Sequence, residues 1–345
     1  MTSSPSMPGW DAINAVLKPI YQDREPLHYG TVIPSALGGP DPIHGISAYS
    51  RGDPEHWHIV TFGFTELWDK ESDDPAVSGY GFELSIRIRK SPAEDKPPNW
   101  ALNFLQNLGR YVFETGNCFD VGHHMSLNGP ICAGSDTAIR AIAFAEDPEL
   151  GEFSSSNGKA HFVQIVGITE DELALLKEWD TRAFLQEYAS VDRMLLTDLD
   201  RRSMLTRPEL ASRMWQRADA EGSSMEFSHL DNSRVVDGPP VVWEVGALWV
   251  DSIRRALKGR ILHGRGYALI GRKFEVRLNP GEEGTACRSG SDLDLTLPKQ
   301  VAADMLSTLA PRRGEYRWAG LPGLVLRVLP SEIRDQKGQV TETIG

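Results

Sequence analysis

The sequence predicts a mixed α/β protein built from two α/β domains. Strand-like and helix-like segments alternate up to residue 218, a polar stretch rich in Ser, Gly and Pro covers 219–240, and a second set of strands and helices follows. With 345 residues and a hydrophobic share of 40%, the chain can build two ordinary cores. We therefore predict a first domain over 8–218, a linker with a possible strand over 219–240, a second domain over 241–330, and a polar, frayed tail over 331–345.

The first predicted domain mixes helices and strands, which differ in the period of their apolar residues. Predicted helices cover 11–21, a stretch whose start Pro97 and Pro98 mark, 169–188 with a capping-box pattern at Thr169 and Glu172, and 207–218 with Pro208 near its first turn. Predicted strands cover 57–64, 81–89, 161–168 and 193–199, and a turn rich in Gly and Pro covers 34–43. The clearest strand is GFELSIRIR, which places four apolar residues on one face and four polar residues on the other.

The second predicted domain repeats this mixture over a shorter length. Its predicted strands cover 241–245, 273–279, 292–297 and 324–329, and its predicted helices cover 248–262 and 298–310. Pro298 occupies the first position of the last helix, where a proline costs no hydrogen bond.

Charge and cysteine content narrow the functional classes. The net charge of −12 disfavours direct binding to nucleic acid or membrane and suits a neutral or basic protein partner. Cys118, Cys132 and Cys287 form no C-x-x-C pair, so neither a disulfide framework nor a structural zinc site is expected. The start of the chain lacks a signal-peptide pattern, and no apolar stretch is long enough to span a membrane. These observations predict a cytoplasmic protein.

The segment EHWH places His56 and His58 on one face of a strand, which is how a metal site or an acid–base pair can begin. A third ligand would have to come from His123, His124 or His161, and the chain has no H-E-x-x-H and no Asp-rich metal loop. A metal-dependent hydrolase is therefore the alternative function. The competing interpretation is that both imidazoles are structural and bond to nearby loops.

Other catalytic patterns are missing from the sequence. There is no G-x-S-x-G, no S-x-x-K, and no glycine-rich phosphate loop, so neither an enzyme nor a cofactor is predicted. The nine tryptophans and eight tyrosines exceed what the predicted cores need, and many lie at strand ends or in turns. Aromatic residues in such places often contact bound peptides, which favours a binding protein.

Several segments resemble the Suppressor of fused family, in the same order, from about residue 8 to about 330. The segments LGGPDPIHGISAY, PEHWHIVTFGF, SGYGFELSIRIR, LGRYVFETGNCF, VQIVGIT and LLTDLDRR resemble its first domain, and LKGRILHGRGY and GLVLRVLP its second. The resemblance implies a non-enzymatic fold of two α/β domains joined by a short linker. In that fold EHWH is part of the structural signature.

The resemblance also implies a mode of binding. Animal members bind Gli-type transcription factors, hold them in the cytoplasm and repress Hedgehog signalling. They add a short peptide as an extra strand in the cleft between the domains, a mode in which main-chain bonds supply affinity and side-chain pockets supply selectivity. The segments that match the two walls of this cleft here are YVFETGNCFDVGHH and SMEFSHLD.

Four residues are carried over as peptide-binding residues. Tyr111 matches a tyrosine that contacts the peptide, Phe119 matches an aromatic residue of the same strand, and Phe227 is assigned to the second wall. His123 stands where animal members have an aspartate that recognises a histidine of the Gli motif, so a Gli-type peptide is expected to bind poorly.

The partner is therefore expected to differ from that of animal members. The long insert that they carry before GRxLHGR is reduced here to 232–240, which is typical of bacterial forms. This suggests an immunity protein that occludes a basic toxin, or another regulatory protein. A third reading is a structural subunit whose cleft is filled by the chain's own tail, QVTETIG.

Overall fold

The computed structural model describes residues 6–31, 38–91, 93–231, 233–236, 238–334 and 338–345. The chain divides into two compact units. The first unit comprises Met1–Ala174 and Thr181–Ala211, and the second comprises Leu175–Asp180 and Ser212–Gly345. The predicted mixed α/β class is confirmed. The predicted bounds of the domains, linker and tail remain predictions.

The first unit is built around one mixed sheet. Its strands are β1 (Leu27–Gly30), β2 (Gly45–Gly52), β3 (Glu55–Phe62), β4 (Val77–Arg89), β5 (His124–Ser126), β6 (Ile139–Glu146), β7 (Glu152–Ser155) and β8 (Gly158–Thr169). They lie in the order β1-β2-β3-β4-β8-β6-β5, and β7 pairs with β8. The central pair, β4 and β8, is parallel, and the other pairs are antiparallel. The short strand β5 therefore ends one side of the sheet.

Five α-helices accompany these strands among the described residues up to 221. They are α1 (Pro8–Tyr21), α2 (Asn99–Thr115), α3 (Glu170–Glu178), α4 (Thr181–Ala189) and α5 (Pro208–Glu221). Helix α2 directs Leu105, Leu108 and Val112 into the core on one face of the sheet, and α1 directs Ile13 and Leu17 into a second core. Because helices cover both faces, the central strands are buried on both sides.

Burial on both faces explains an unexpected property of β4. The apolar side chains of GFELSIRIR lie in the core beside α2, as the alternation predicts. The polar residues Glu83, Ser85 and Arg87 on the other face are fully buried as well. Buried polar groups need partners, and each of these three side chains has hydrogen bonds to other side chains or to main-chain groups.

Within its described residues, the second unit contains most of α5, two further α-helices, two larger sheets and a hairpin, with one core. Its elements are β9 (Phe227–His229), β10 (Arg234–Val236), β11 (Val241–Gly246), α6 (Val250–Gly259), β12 (Tyr267–Ile270), β13 (Glu275–Pro280), β14 (Thr285–Ser289), β15 (Asp292–Leu297), α7 (Lys299–Thr308), β16 (Gly314–Tyr316), β17 (Leu324–Leu329), β18 (Ser331–Arg334) and β19 (Val340–Ile344). One sheet has the order β10-β11-β17-β16 and the other β14-β15-β13-β12-β9. Trp243, Leu295 and Met305 are fully buried in the core that they share with α6 and α7.

Three predictions from the sequence are wrong at the level of single elements. The predicted strand over 193–199 is a loop whose strand-like pairing is limited to one isolated bridge, between Ile88 and Thr197. The predicted helix over 169–188 is interrupted, so that α3 and α4 are separate. The tail predicted to be frayed forms the antiparallel hairpin of β18 and β19. The first four residues of the turn predicted over 34–43 lie outside the described residues.

Candidate functional site

The strand β5 forms an open edge of the first sheet. It pairs with β6 on one side, and within the described residues no strand pairs with its other side. The main-chain oxygen of His123 accepts a hydrogen bond from Phe144, and the N–H of Leu127 donates to Arg140. In an antiparallel pair such inward-facing residues alternate with outward-facing ones. Ser126 therefore directs its N–H and C=O away from β6, towards the open edge.

A turn with a fixed backbone leads into this edge. Gly122 has a φ of 93°, in the left-handed region where glycine is favoured. Its N–H donates to the main-chain oxygen of Phe144, and the N–H of Phe144 donates to the main-chain oxygen of His123. Gly122 and His123 therefore both face Phe144, as two residues face one partner in a β-bulge. A Cβ at Gly122 would lie 3.0 Å from Nε of Arg182, which donates from Nη2 to the oxygen of Val121.

Three aromatic rings form a stack beside this edge. The Tyr111 ring lies 5.7 Å from the Phe119 ring, and the Phe119 ring lies 4.4 Å from that of Phe144, with near-parallel planes in both pairs. Phe119 is only 5% exposed, so its side chain belongs to the core and supports Tyr111 from below. Tyr111 is half-buried, and its hydroxyl accepts a hydrogen bond from Asn117. Of Tyr111 and Phe119, Tyr111 is the one that reaches the surface, and the predicted contact of Phe119 with a peptide is not supported by its burial.

His123 is exposed at the start of the edge. Its Nδ1 accepts a hydrogen bond from the N–H of Asp120, and its own N–H donates to the oxygen of Asp120. The carboxylate of Asp120 also lies 3.5 Å from Nε2 of His161. The sequence therefore brings an imidazole, held by its turn, to the end of β5 beside the aromatic stack.

The strand β9 is an open edge of the second unit. It pairs in parallel with β12, and the sheet continues no further past it within the described residues. The N–H of Ala268 donates to Glu226, and the N–H of Leu230 donates to Ile270, so Ser228 is the residue that faces β12. Phe227 and His229 then present their main-chain groups to the open edge. Phe227 is 51% exposed, which is unusual for a side chain of this size.

The predicted metal ligands His56 and His58 lie elsewhere, in the interior of the first unit. Both are fully buried on β3. Nδ1 of His56 bonds to the oxygen of Pro54, and Nδ1 of His58 bonds to the hydroxyl of Tyr21. Burial, and after it the charge of Arg87, lowers the pKa of His58 to about 4, so this imidazole is neutral at neutral pH.

The other predicted metal ligands do not join this pair. Nδ1 of His124 lies 3.0 Å from the hydroxyl of Thr181, while His123 and His161 lie beside Asp120. Among the described residues, no group of three or more His, Cys, Asp or Glu side chains has the geometry to hold a metal ion. The buried imidazole of His58 instead belongs to a polar network with Tyr21, Arg87 and Asp147.

Across the described parts of the chain, no helix combines the length and the apolar character needed to cross a bilayer. Of the residues predicted to bind a peptide, His123 directly precedes β5, Tyr111 stacks on Phe119 and through it on Phe144 of β6, and Phe227 lies on β9. The sequence analysis did not identify Ser126 or His229, because three-residue strands leave too short a pattern to be recognised.

The fold and these edges define a class: α/β proteins of two units whose sheets end in short, exposed strands. A family model described as Suppressor of fused protein matches residues 39–202. The human Suppressor of fused homolog is 32% identical over 237 residues, which cover 63% of this chain and 48% of that protein, and the mouse homolog gives the same values. The chain thus spans about half the length of the curated relatives that it matches. It belongs to the Suppressor of fused family.

Solved structures agree with this assignment. The crystal structure of Drosophila Suppressor of Fused matches with a TM-score of 0.79 at 22% identity and covers 93% of this chain and 97% of that one, so the fold is shared. A chain from the Sufu-Fu complex crystal structure is 30% identical, with a TM-score of 0.56, and the match covers 62% of this chain and 98% of that one. The second of these structures is a complex of Sufu with Fu. That this chain is not an enzyme remains a prediction.

Proposed function

We propose that this protein captures an extended segment of a partner protein by strand addition. The segment pairs with the open edge of β5 in the first unit, and the open edge of β9 in the second unit is a separate candidate for the same kind of pairing. The observation that carries the proposal is the alternation at β5, which leaves the N–H and C=O of Ser126 directed away from β6. An unpaired strand edge offers a row of main-chain donors and acceptors to any chain of matching shape.

Side chains beside β5 would provide selectivity. Tyr111 offers a ring backed by Phe119, which restrains its motion and lowers the entropy that is lost on binding. The imidazole of His123 replaces the acidic group expected in animal members, so it suits an acceptor or a carboxylate on the partner rather than a cation. The partner is therefore expected to differ from a Gli-type motif.

A variant of the outward-facing donor tests strand addition directly. In Ser126→Pro the edge loses an N–H that β6 does not use, so the pairing of β5 with β6 should persist. We expect the affinity for the partner to fall about tenfold, the equivalent of one main-chain hydrogen bond. The partner is first identified by affinity purification and mass spectrometry, and the affinity is then measured by calorimetry.

The matched control is Ser126→Ala, which removes the hydroxyl but keeps the N–H. It should bind like the wild type. The corresponding pair on β9 is His229→Pro against His229→Ala, since His229 presents its main-chain groups to that edge. Equal affinities for a proline variant and its alanine control at both edges would refute strand addition.

The exposed side chains can be tested separately. We expect the double variant Tyr111→Ala, His123→Ala to lower the affinity for the partner ten- to a hundredfold, because a supported aromatic ring and a polar contact are lost together. Its free energy of unfolding should change little, since His123 is exposed and Tyr111 half-buried. Circular dichroism and denaturation curves check the fold. Undiminished binding by a folded double variant would exclude these two residues from the site.

The identity of the partner can also be narrowed by charge. We propose an immunity or regulatory role towards a basic protein, which the net charge of −12 would attract by electrostatic steering. The association rate should then fall as salt is added, while the dissociation rate changes less. An acidic partner, or an association rate that does not depend on salt, would contradict this role but leave strand addition intact.

A further inference from the structure

A cavity of about 240 Å³ lies beside β9, entirely within the second unit. Lys177, Arg255, Arg260 and His229 line its wall, and Ser228 and Tyr267 add hydroxyl groups. No Asp or Glu is present among the described residues that line it. Such a concentration of cations is unexpected in a chain with 48 acidic and 36 basic residues.

The three cationic side chains lack carboxylate partners. Lys177 is half-buried, and its ammonium group has no hydrogen-bond or ion-pair partner within the part of the chain that the structure describes. Arg255 donates from Nη2 to the hydroxyl of Ser252 and forms no ion pair with a described residue. Arg260 is 9% exposed and likewise has no carboxylate partner in the described ranges. Buried cations without a counter-charge are costly.

Other cations in the same unit do find carboxylates. Lys258 lies 3.1 Å from both Glu178 and Asp219, and Arg327 pairs with Glu315 and Glu244. Ion pairing is therefore easily achieved in this unit. The unpaired cations at the cavity indicate that their counter-charge comes from outside the chain.

The cavity is also preorganised for an anion. The guanidinium of Arg260 is held by two main-chain oxygens, because Nε donates to Gly266 and Nη1 donates to Ser223, both at 3.0 Å. Its orientation is thus fixed before any ligand arrives, which reduces the entropic cost of binding. Burial, and after it the positive charge of Arg255, lowers the pKa of Lys177, as expected for cations crowded around a site that an anion would neutralise.

We propose that this cavity binds a compact oxyanion, the carboxylate or phosphate group of an anionic ligand. Arginine and lysine side chains together are well suited to such groups, because their N–H donors match the oxygens in geometry and charge. The cavity shares Ser228 and His229 with the open edge of β9. The oxyanion can therefore be a free small anion or an acidic or phosphorylated side chain of a polypeptide that lies along β9.

Inorganic phosphate and acetate serve as probes of the cavity itself. We expect calorimetry of the full chain, at constant ionic strength in chloride, to show one saturable site for at least one of them. Lys177→Met and Arg255→Met should each weaken that binding at least tenfold, because each removes one of the three unpaired cations. The result is independent of strand addition, since no peptide is present.

A matched control separates this site from general attraction to cations. Arg272→Met removes a side chain of the same unit that is 92% exposed, and it should leave anion binding unchanged. Without an added anion, Lys177→Met should not lower the melting temperature, because it relieves repulsion with Arg255. The proposal is overturned if no saturable binding is found, or if the cavity variants bind as well as the wild type and Arg272→Met.

The source of the oxyanion is distinguished by competition. If the bound partner abolishes phosphate or acetate binding, and Lys177→Met also lowers the affinity for the partner, the oxyanion is carried by the polypeptide. If phosphate or acetate binds equally well with the partner present, it is a free anion. Both results support the cavity as an anion site, and they differ only in the ligand.

Discussion

The variant Arg87→Met is expected to lower the free energy of unfolding by about 3–5 kcal/mol, the usual cost of breaking a buried ion pair by removing one partner. Arg87 is fully buried on β4 and donates from Nη1 and Nη2 to the two oxygens of Asp147, at 2.5 and 2.9 Å. Removal of the guanidinium would leave a carboxylate in the interior without its counter-charge.

The loss would extend beyond this pair. Nη2 of Arg87 also donates to Glu149 at 2.9 Å, and Nη1 donates to the amide oxygen of Gln164. Asp147 keeps three other donors, the hydroxyl of Ser85 and the N–H groups of Glu149 and Leu150. These remaining bonds limit the damage, and for this reason the expected loss is a few kcal/mol and not complete unfolding.

Chemical denaturation followed by circular dichroism measures the effect, and Arg89→Met provides the control. Arg89 stands two residues further along the same strand and pairs with Asp198 at 2.7 Å, but its side chain is about half exposed. An exposed ion pair contributes about 0–1 kcal/mol, so this control should lose little stability. If the two variants lost equal stability, the buried network would not have the importance assigned to it here.

The network shows where prediction from sequence stops. The alternation of GFELSIRIR predicts a strand and identifies its apolar face, because both follow from local spacing. It does not predict that Glu83 and Arg87 are buried too, because their partners are distant in sequence. Arg87 meets Asp147, 60 residues away, and Glu83 accepts hydrogen bonds from the N–H groups of Gly63 and Thr65. Whether α1 covers the polar face of β4 depends on tertiary packing, which local spacing does not reveal.

The candidate site, like β4, could be predicted from the sequence only in part. Aromatic content and the family resemblance directed attention to the segment around Tyr111 and His123, and the structure places both near β5. The open edge itself was not predictable, because β5 has three residues and its status depends on a sheet order set by distant strands. The opposite error occurred at 193–199, where an apolar run predicts a strand but the segment packs beside β4 through a single bridge.

Stability should also depend on pH through His58. Its pKa is lowered from 6.5 to about 4 in the folded protein, chiefly by burial, so the folded state resists protonation while the unfolded chain accepts a proton. The unfolded state then binds more protons between pH 6.5 and 4, and the free energy of unfolding falls as the pH falls through this range. The full contribution of this one group is about 3 kcal/mol. The pKa of Asp147 is lowered as well, so its contribution is lost only at still lower pH.

Denaturation curves at several pH values between 7 and 4 would isolate this contribution when the wild type is compared with His58→Gln. Glutamine can still bond to the hydroxyl of Tyr21 but does not titrate, so the variant should lose less stability than the wild type as the pH falls. His123→Gln is the control, because it makes the same exchange of histidine for glutamine at an exposed position of the same unit. If His58→Gln retained the full pH dependence of the wild type, the acid sensitivity would lie in other groups, and the neutral, buried state of His58 would no longer account for the choice of histidine in EHWH.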